Sequence, residues 1–119
     1  MMRKYLLGVI LSLLWCGAAF ATNCSGTITS GGTAQFIPNI GSNTRGLLLM
    51  NNSANLMCVS FTGNAATISG TNCGAGSWPL QPGSGTTQGG SFSNPANITI
   101  SVVSIISSGT GDPYSCERQ

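Results

Sequence analysis

The chain has no histidine, and its 119 residues include only four Lys or Arg and two Asp or Glu. Beyond residue 21 lysine is absent as well, leaving Arg45 and Arg118 against Asp112 and Glu117. General acid–base catalysis needs a titratable group poised near the working pH, usually His, Asp, Glu or Lys. Asp112 precedes Pro113 in a Gly-rich turn, an ordinary use of Asp, and Glu117 belongs to the last three residues, where chains fray. No G-x-S-x-G occurs, so the many hydroxyls have neither a nucleophile elbow nor a base. Without clustered Lys and Arg the chain has no footprint for nucleic acid and no polybasic route to a membrane surface. Zinc is excluded by the missing His and by cysteines that never fall in C-x₂₋₄-C spacing; two carboxylates do not build a calcium cage. The reading is a protein that is not an enzyme and holds no cofactor or metal.

The first 21 residues are set apart from the rest. Arg3 and Lys4 precede an apolar run from Leu6 to Trp15, and Ala19-Phe20-Ala21 ends it with small residues at the −3 and −1 positions. This is the pattern of a secretory signal peptide, cleaved after Ala21. This run of ten residues, broken only by Gly8 and Ser12, is about half of the ~20 needed to span a bilayer, so no membrane span is expected after cleavage. Trp15 before Cys16 argues against a lipid anchor there. Residues 22–119 then form one domain with zero formal charge, placed in the periplasm or outside the cell. Cys16 leaves with the leader, and four cysteines remain: Cys24, Cys58, Cys73 and Cys116. An even number in an exported chain implies two disulfides, with three possible connectivities. None forms C-x-x-C, so the bridges are read as structural.

Ser, Thr, Asn and Gly supply 52 of the 98 residues from Thr22 onward, a composition that favours turns and strands over helix. No window shows a helical period. Thr27-Ile28-Thr29, the Gly31-Gly32 turn and Thr33 to Ile37 read as a hairpin. Leu47 to Met50 is continuously apolar, as in a strand covered on both faces. Met57, Val59 and Phe61 alternate with Cys58 and Ser60, the pattern of a strand covered on one face. The polar turn Asn51 to Asn55 is expected to join these two as an antiparallel hairpin. Residues 74–90, within "GAGSWPLQPGSGTTQGG", lack the Lys and helix start of a phosphate loop and read as a flexible surface loop. Pro79, Pro82 and Pro95 restrict their surroundings to edge strands or loop. Asn97 to Ser107 is the strongest strand signal. Ile98, Ile100 and Val102 face one way and Val103 and Ile105 the other, a slip that marks a bulge or a bend between two sheets. A last strand is expected around Tyr114 to Cys116. Seven or eight short strands in one small domain mean an all-β, antiparallel sandwich or barrel, its marginal core stapled by two disulfides.

The motifs "TSGGTAQF", "NTRGLLLMNNS", "VSFTGNAAT", "LQPG", "ITISVV" and "SGTGDPY" follow one another in that order between Thr27 and Tyr114. Together they resemble a small all-β module found among structural proteins of tailed phages and related prophage regions. The resemblance implies a β-sandwich that serves as an accessory or decoration piece without catalysis. This chain differs in carrying a leader and four further cysteines.

A sandwich is commonly sealed where its terminal strands lie side by side, which pairs Cys24 with Cys116. Cys58 points away from Met57, Val59 and Phe61, so it reaches a loop crossing that side and pairs with Cys73. Phe36 and Phe61 are expected in the core. Trp78, beside Pro79 in the polar loop, and Tyr114, near the closing turn, are the candidate binding residues, since exposed aromatics anchor protein partners or stack on sugars. Asn23, Asn51 and Asn97 begin N-x-S/T triplets, which acquire meaning only in a eukaryotic host. The expected function is an exported structural or interaction module that presents a charge-poor surface for assembly or adhesion, to a protein partner or to itself. The alternative is a lectin-like, glycan-binding protein that uses Trp78 and Tyr114.

Overall fold

The computed structural model describes residues 22–118 apart from 39, 41–43, 84–86, 88 and 101, and leaves the side chains of 95–99 undescribed. The expected leader, residues 1–21, lies outside the described residues. All described structure is strand, turn or loop. The strands are β1 (Thr22–Asn23), β2 (Gly26–Thr27), β3 (Gln35–Phe36), β4 (Thr44–Asn51), β5 (Met57–Ser60), β6 (Ile68–Ser69), β7 (Asn72–Cys73), β8 (Trp78–Leu80), β9 (Ser91–Ile100), β10 (Ser104–Ser107) and β11 (Pro113–Arg118). They exceed the expected seven or eight because several are two-residue bridges that a pattern search joins or passes over.

Two antiparallel sheets face each other. The larger runs β1-β11-β4-β9, with β2 also on β11, and the smaller runs β3-β10-β5-β8. Leu47 and Leu49 of β4, Ile100 of β9 and Tyr114 and Cys116 of β11 pack against Met57 and Val59 of β5, Leu80 of β8 and Ile105 of β10. Ile28, Ile37 and Val103 fill in from the connections. Burying a side chain of this size fully contributes about 1.5–3 kcal/mol. A third, thin layer forms where the β6–β7 hairpin lies on the outer face of the smaller sheet. There Cys58, Ala66 and Ile106 are buried together, with Ile68 and Cys73 against them, and Ser104 Oγ accepts the Ala66 N–H at 2.9 Å. Among the described residues the core is closed by two disulfides, Cys24–Cys116 and Cys58–Cys73.

Both expected hairpins resolve differently. The turn after β4 does not return the chain beside it, because β4 lies in the larger sheet and β5 in the smaller. The buried Asn51 turns the corner. Its Nδ2 donates to the carbonyls of Asn55 and Leu80 at 2.8 and 2.9 Å, and its Oδ1 accepts the N–H and hydroxyl of Ser53 at 2.8 and 2.9 Å. Likewise β2 pairs with β11 and β3 with β10. Between them the Gln35 side chain takes the place of ladder bonds, donating to Thr27 O at 3.0 Å and accepting from Thr29 N at 2.7 Å.

Coverage of the two apolar runs is the reverse of that expected. Leu48 stands out of the larger sheet, 43% exposed, whereas all four residues of β5 are buried. Cys58 and Ser60 look like a solvent face in the alternation, but the β6–β7 layer and its disulfide cover that side at Cys58. The slip after Val102 is a bend between sheets: β9 ends in the larger at Ile100 and β10 begins in the smaller at Ser104. Pro79 and Pro95 fall on the edge strands β8 and β9, as a residue without an N–H requires. The described part of residues 74–90 is no free loop. It contains β8, Gly83 N donates to Ser53 O at 2.7 Å, and Gly90 O accepts Asn51 N at 3.0 Å. A Cβ on Gly89 would collide with the Asn51 carbonyl, which is why glycine stands there.

Candidate functional site

The two proposed aromatic binding residues separate completely. Trp78 is 67% exposed on β8, and Tyr114 is 3% exposed in the core. Tyr114 belongs to an inward-facing position of β11, with Cys116 two residues on. A Cβ on Gly26 would come within 2.7 Å of its hydroxyl, so the smallest residue is used where β2 crosses the ring. Burial raises the Tyr114 phenol above its ordinary range, and a hydrogen bond with the Gln35 side chain partly offsets this. Tyr114 is therefore a core residue and not a binding aromatic. Turn geometry near a chain end suggested exposure, while the inward parity of β11 decides the opposite.

Trp78 is mounted on a braced strand. Val59 stands opposite it and Cys58 opposite Pro79, and Cys58 is bridged to Cys73 in the adjoining hairpin. The approach to β8 is also held, by Ser77 N on Gly74 O at 3.1 Å and Thr67 N on Ser77 Oγ at 3.0 Å. Leu80, two residues on, is buried against Met57 and the core. Pro79 of β8 and the residues on either side of the strand, Ser77 and Gln81, line a shallow groove of about 250 Å³ with Leu56 and Cys73. The indole is thus projected from the rigid rim of the smaller sheet, so little conformational freedom remains to be lost on binding.

Phe36, expected in the core, is 56% exposed on β3, the opposite edge of the same sheet. It pairs with Ser104, whose side chain turns to the outer face and serves Ala66. Phe61 is partly buried and stacks on Phe92, ring centroids 4.1 Å apart, an arrangement that extends the core.

A second exposed apolar position, Leu48, was hidden inside the run Leu47 to Met50. With Asn23, Ser25, Met50, Ser115 and Glu117 it lines a groove of about 290 Å³ on the outer face of the larger sheet. The neighbouring strands carried a usable signal: Ser91 and Ser93 of β9 and Ser115 and Glu117 of β11 mark an outward polar face that β4 must share.

The carboxylates stand in unlike settings. Both oxygens of Asp112 accept from Asn55 Nδ2, at 3.1 and 3.0 Å, and Ser107 Oγ also donates to it. Its carbonyl accepts Ile28 N at 2.9 Å. Asp112 thus clamps the turn before β11 onto the corner after β4. Glu117 is exposed on the outer face of the larger sheet, beside Leu48. Among the described residues no three His, Cys, Asp or Glu gather as a metal site, and no helix is long and apolar enough to cross a membrane. Of the N-x-S/T triplets, Asn51 is buried and fully bonded, while Asn23 is exposed with its Oδ1 accepting Ser25 N at 2.8 Å. Two structural disulfides are compatible with an oxidising compartment. No protein-family model, no curated protein and no solved structure matches the chain.

Proposed function

We propose that this is an exported, non-catalytic interaction module that binds a protein partner through Trp78, in assembly or adhesion at a surface. The observation that carries the reading is the two-thirds exposed indole on a strand braced by a disulfide-linked neighbour. A large aromatic left in water on a rigid support is the usual anchor of a protein interface. The near absence of charge fits a surface that is desolvated on contact without stranded ions. The sequence resemblance to phage accessory modules points the same way, to a β-domain placed on a larger assembly. The glycan-binding alternative loses its second aromatic with the burial of Tyr114.

Replacing Trp78 by a photo-crosslinking phenylalanine analogue in the producing cell tests this directly. A discrete protein adduct is expected from position 78 and none from the exposed control position Asn64. Trp78→Ala should retain the circular dichroism of the parent and weaken capture by about 30-fold, the loss of a ~2 kcal/mol anchor. Equal adducts from both positions would sink the proposal. Binding on a glycan array that Trp78→Ala abolishes would transfer the anchor to a carbohydrate ligand.

A further inference from the structure

The outer face of the larger sheet carries a self-complementary surface that is independent of Trp78. In β4 the register shifts between Arg45 and Leu47, and Gly46 sits there with φ of 65°. Strict alternation from an outward Arg45 would turn Leu48 inward; opposite Gly46 it is β9 that carries the extra residues, and the left-handed backbone of Gly46 breaks the alternation of β4 so that Leu47 turns inward and Leu48 outward. Arg45 and Leu48 therefore share the outer face, while Leu47 and Leu49 fill the core. Leu48 is flanked by Glu117 on β11 and by Ser93 on β9. An exposed anion thus lies beside the exposed leucine, and an exposed cation lies three positions away from it along the same strand. Leu48 is three residues along β4 from Arg45, and with a rise of ~3.4 Å per residue and ~4.8 Å between strands the Cα atoms of Arg45 and Glu117 stand about 11 Å apart.

We propose that this face packs against the same face of a second copy about a two-fold axis, with Arg45 of each copy meeting Glu117 of the other. An axis in the interface that exchanges these two positions bisects the line between them. Leu48 lies along β4 from Arg45 and directly beside Glu117, so that axis passes close to it and brings the two leucines together. Charge complementarity selects a second copy as the occupant: the face offers one charge of each sign, placed so that the two-fold operation matches unlike with unlike. Four strands by about six residues span roughly 20 × 20 Å, which is small beside the ~800 Å² per partner of a standard interface. The dimer is accordingly weak and forms where the protein is concentrated, as on a surface.

Sedimentation equilibrium of residues 22–119, from about 5 μM to about 1 mM, tests the pairing at low and high salt, where screening lengths differ several-fold. A monomer–dimer equilibrium weakened by salt is expected. Arg45→Glu and Glu117→Arg should each weaken it about tenfold, and the double variant R45E/E117R should restore it to within about threefold, since only a pair in contact is rescued by exchange. Leu48→Ser should abolish the dimer, while Trp78→Ala leaves it unchanged, so that failure here is separable from failure of the Trp78 reading. A monomer at every concentration overturns the proposal. So does a dimer that the single charge reversals do not weaken or the double exchange does not restore; the face then belongs to another occupant.

Discussion

Replacing Asn51 by alanine should cost more than any surface change in the molecule, because one amide turns the chain between the two sheets. Asn51 is fully buried and makes four hydrogen bonds, two donated to Asn55 O and Leu80 O and two accepted from Ser53. At about 1 kcal/mol net for each of the four bonds, the loss comes to about 3–5 kcal/mol. That is a large share of the ~5–15 kcal/mol available to a domain of this size. Asn51→Asp separates donation from shape. The carboxylate keeps both acceptor roles, but it has no proton for two carbonyl oxygens and buries a charge beside them. Its folded pKa is raised above the unfolded value near 3.9, so the variant loses stability as pH rises through the range above that value and recovers in acid. Urea unfolding followed by circular dichroism reads both effects. With a slope of about 1–1.5 kcal/mol per molar, Asn51→Ala should lower the midpoint by about 2–5 M. A loss under about 1 kcal/mol with an unchanged slope would refute the assignment of the corner to this side chain.

Removing the Cys58–Cys73 bridge by double alanine substitution should cost about 3 kcal/mol for its separation of 15 residues, and removing Cys24–Cys116, separated by 92, between about 4 and 5 kcal/mol. The first variant should also bind a hydrophobic dye, as the β6–β7 layer lifts from Ile106 and Ala66; a dye-silent variant would show that the bridge does not hold that layer. Tyr114 should ionise above its ordinary value of 10.0 in an absorbance titration of residues 22–119, where it is the sole tyrosine. Its folded pKa being raised, the stability it contributes is complete below pH 10 and declines as pH rises beyond, and Tyr114→Phe should remove that decline. Titration at the ordinary value would contradict its burial.

The all-β class was legible in the sequence because it rests on local chemistry. Scarce helix formers, frequent Gly and Pro, and β-branched runs leave no helical segment to nucleate. The bend after Val102 and the edge positions of Pro79 and Pro95 were legible for the same reason, since parity and a missing N–H are properties of a few adjacent residues. The bridges followed from the sandwich once the parity of Cys58 was read. What the tertiary structure alone decided is which strand lies beside which, and what covers each face. Alternation states that the two faces of a strand differ; it does not state what lies over either. Cys58 therefore read as a less covered side until the β6–β7 layer was placed on it, and Leu48 read as core until β9 and β11 proved to share an open face with it. Trp78 and Tyr114 are both aromatics beside prolines in polar surroundings, yet one projects from a sheet edge and the other fills the core. The turns were likewise ambiguous, because a polar five-residue link closes a hairpin or crosses between sheets at similar local cost. That choice is settled by bonds between the sheets, the long-range one of Asn51 to Leu80 and the shorter one of Gln35 to Thr27, which form as the two sheets come together.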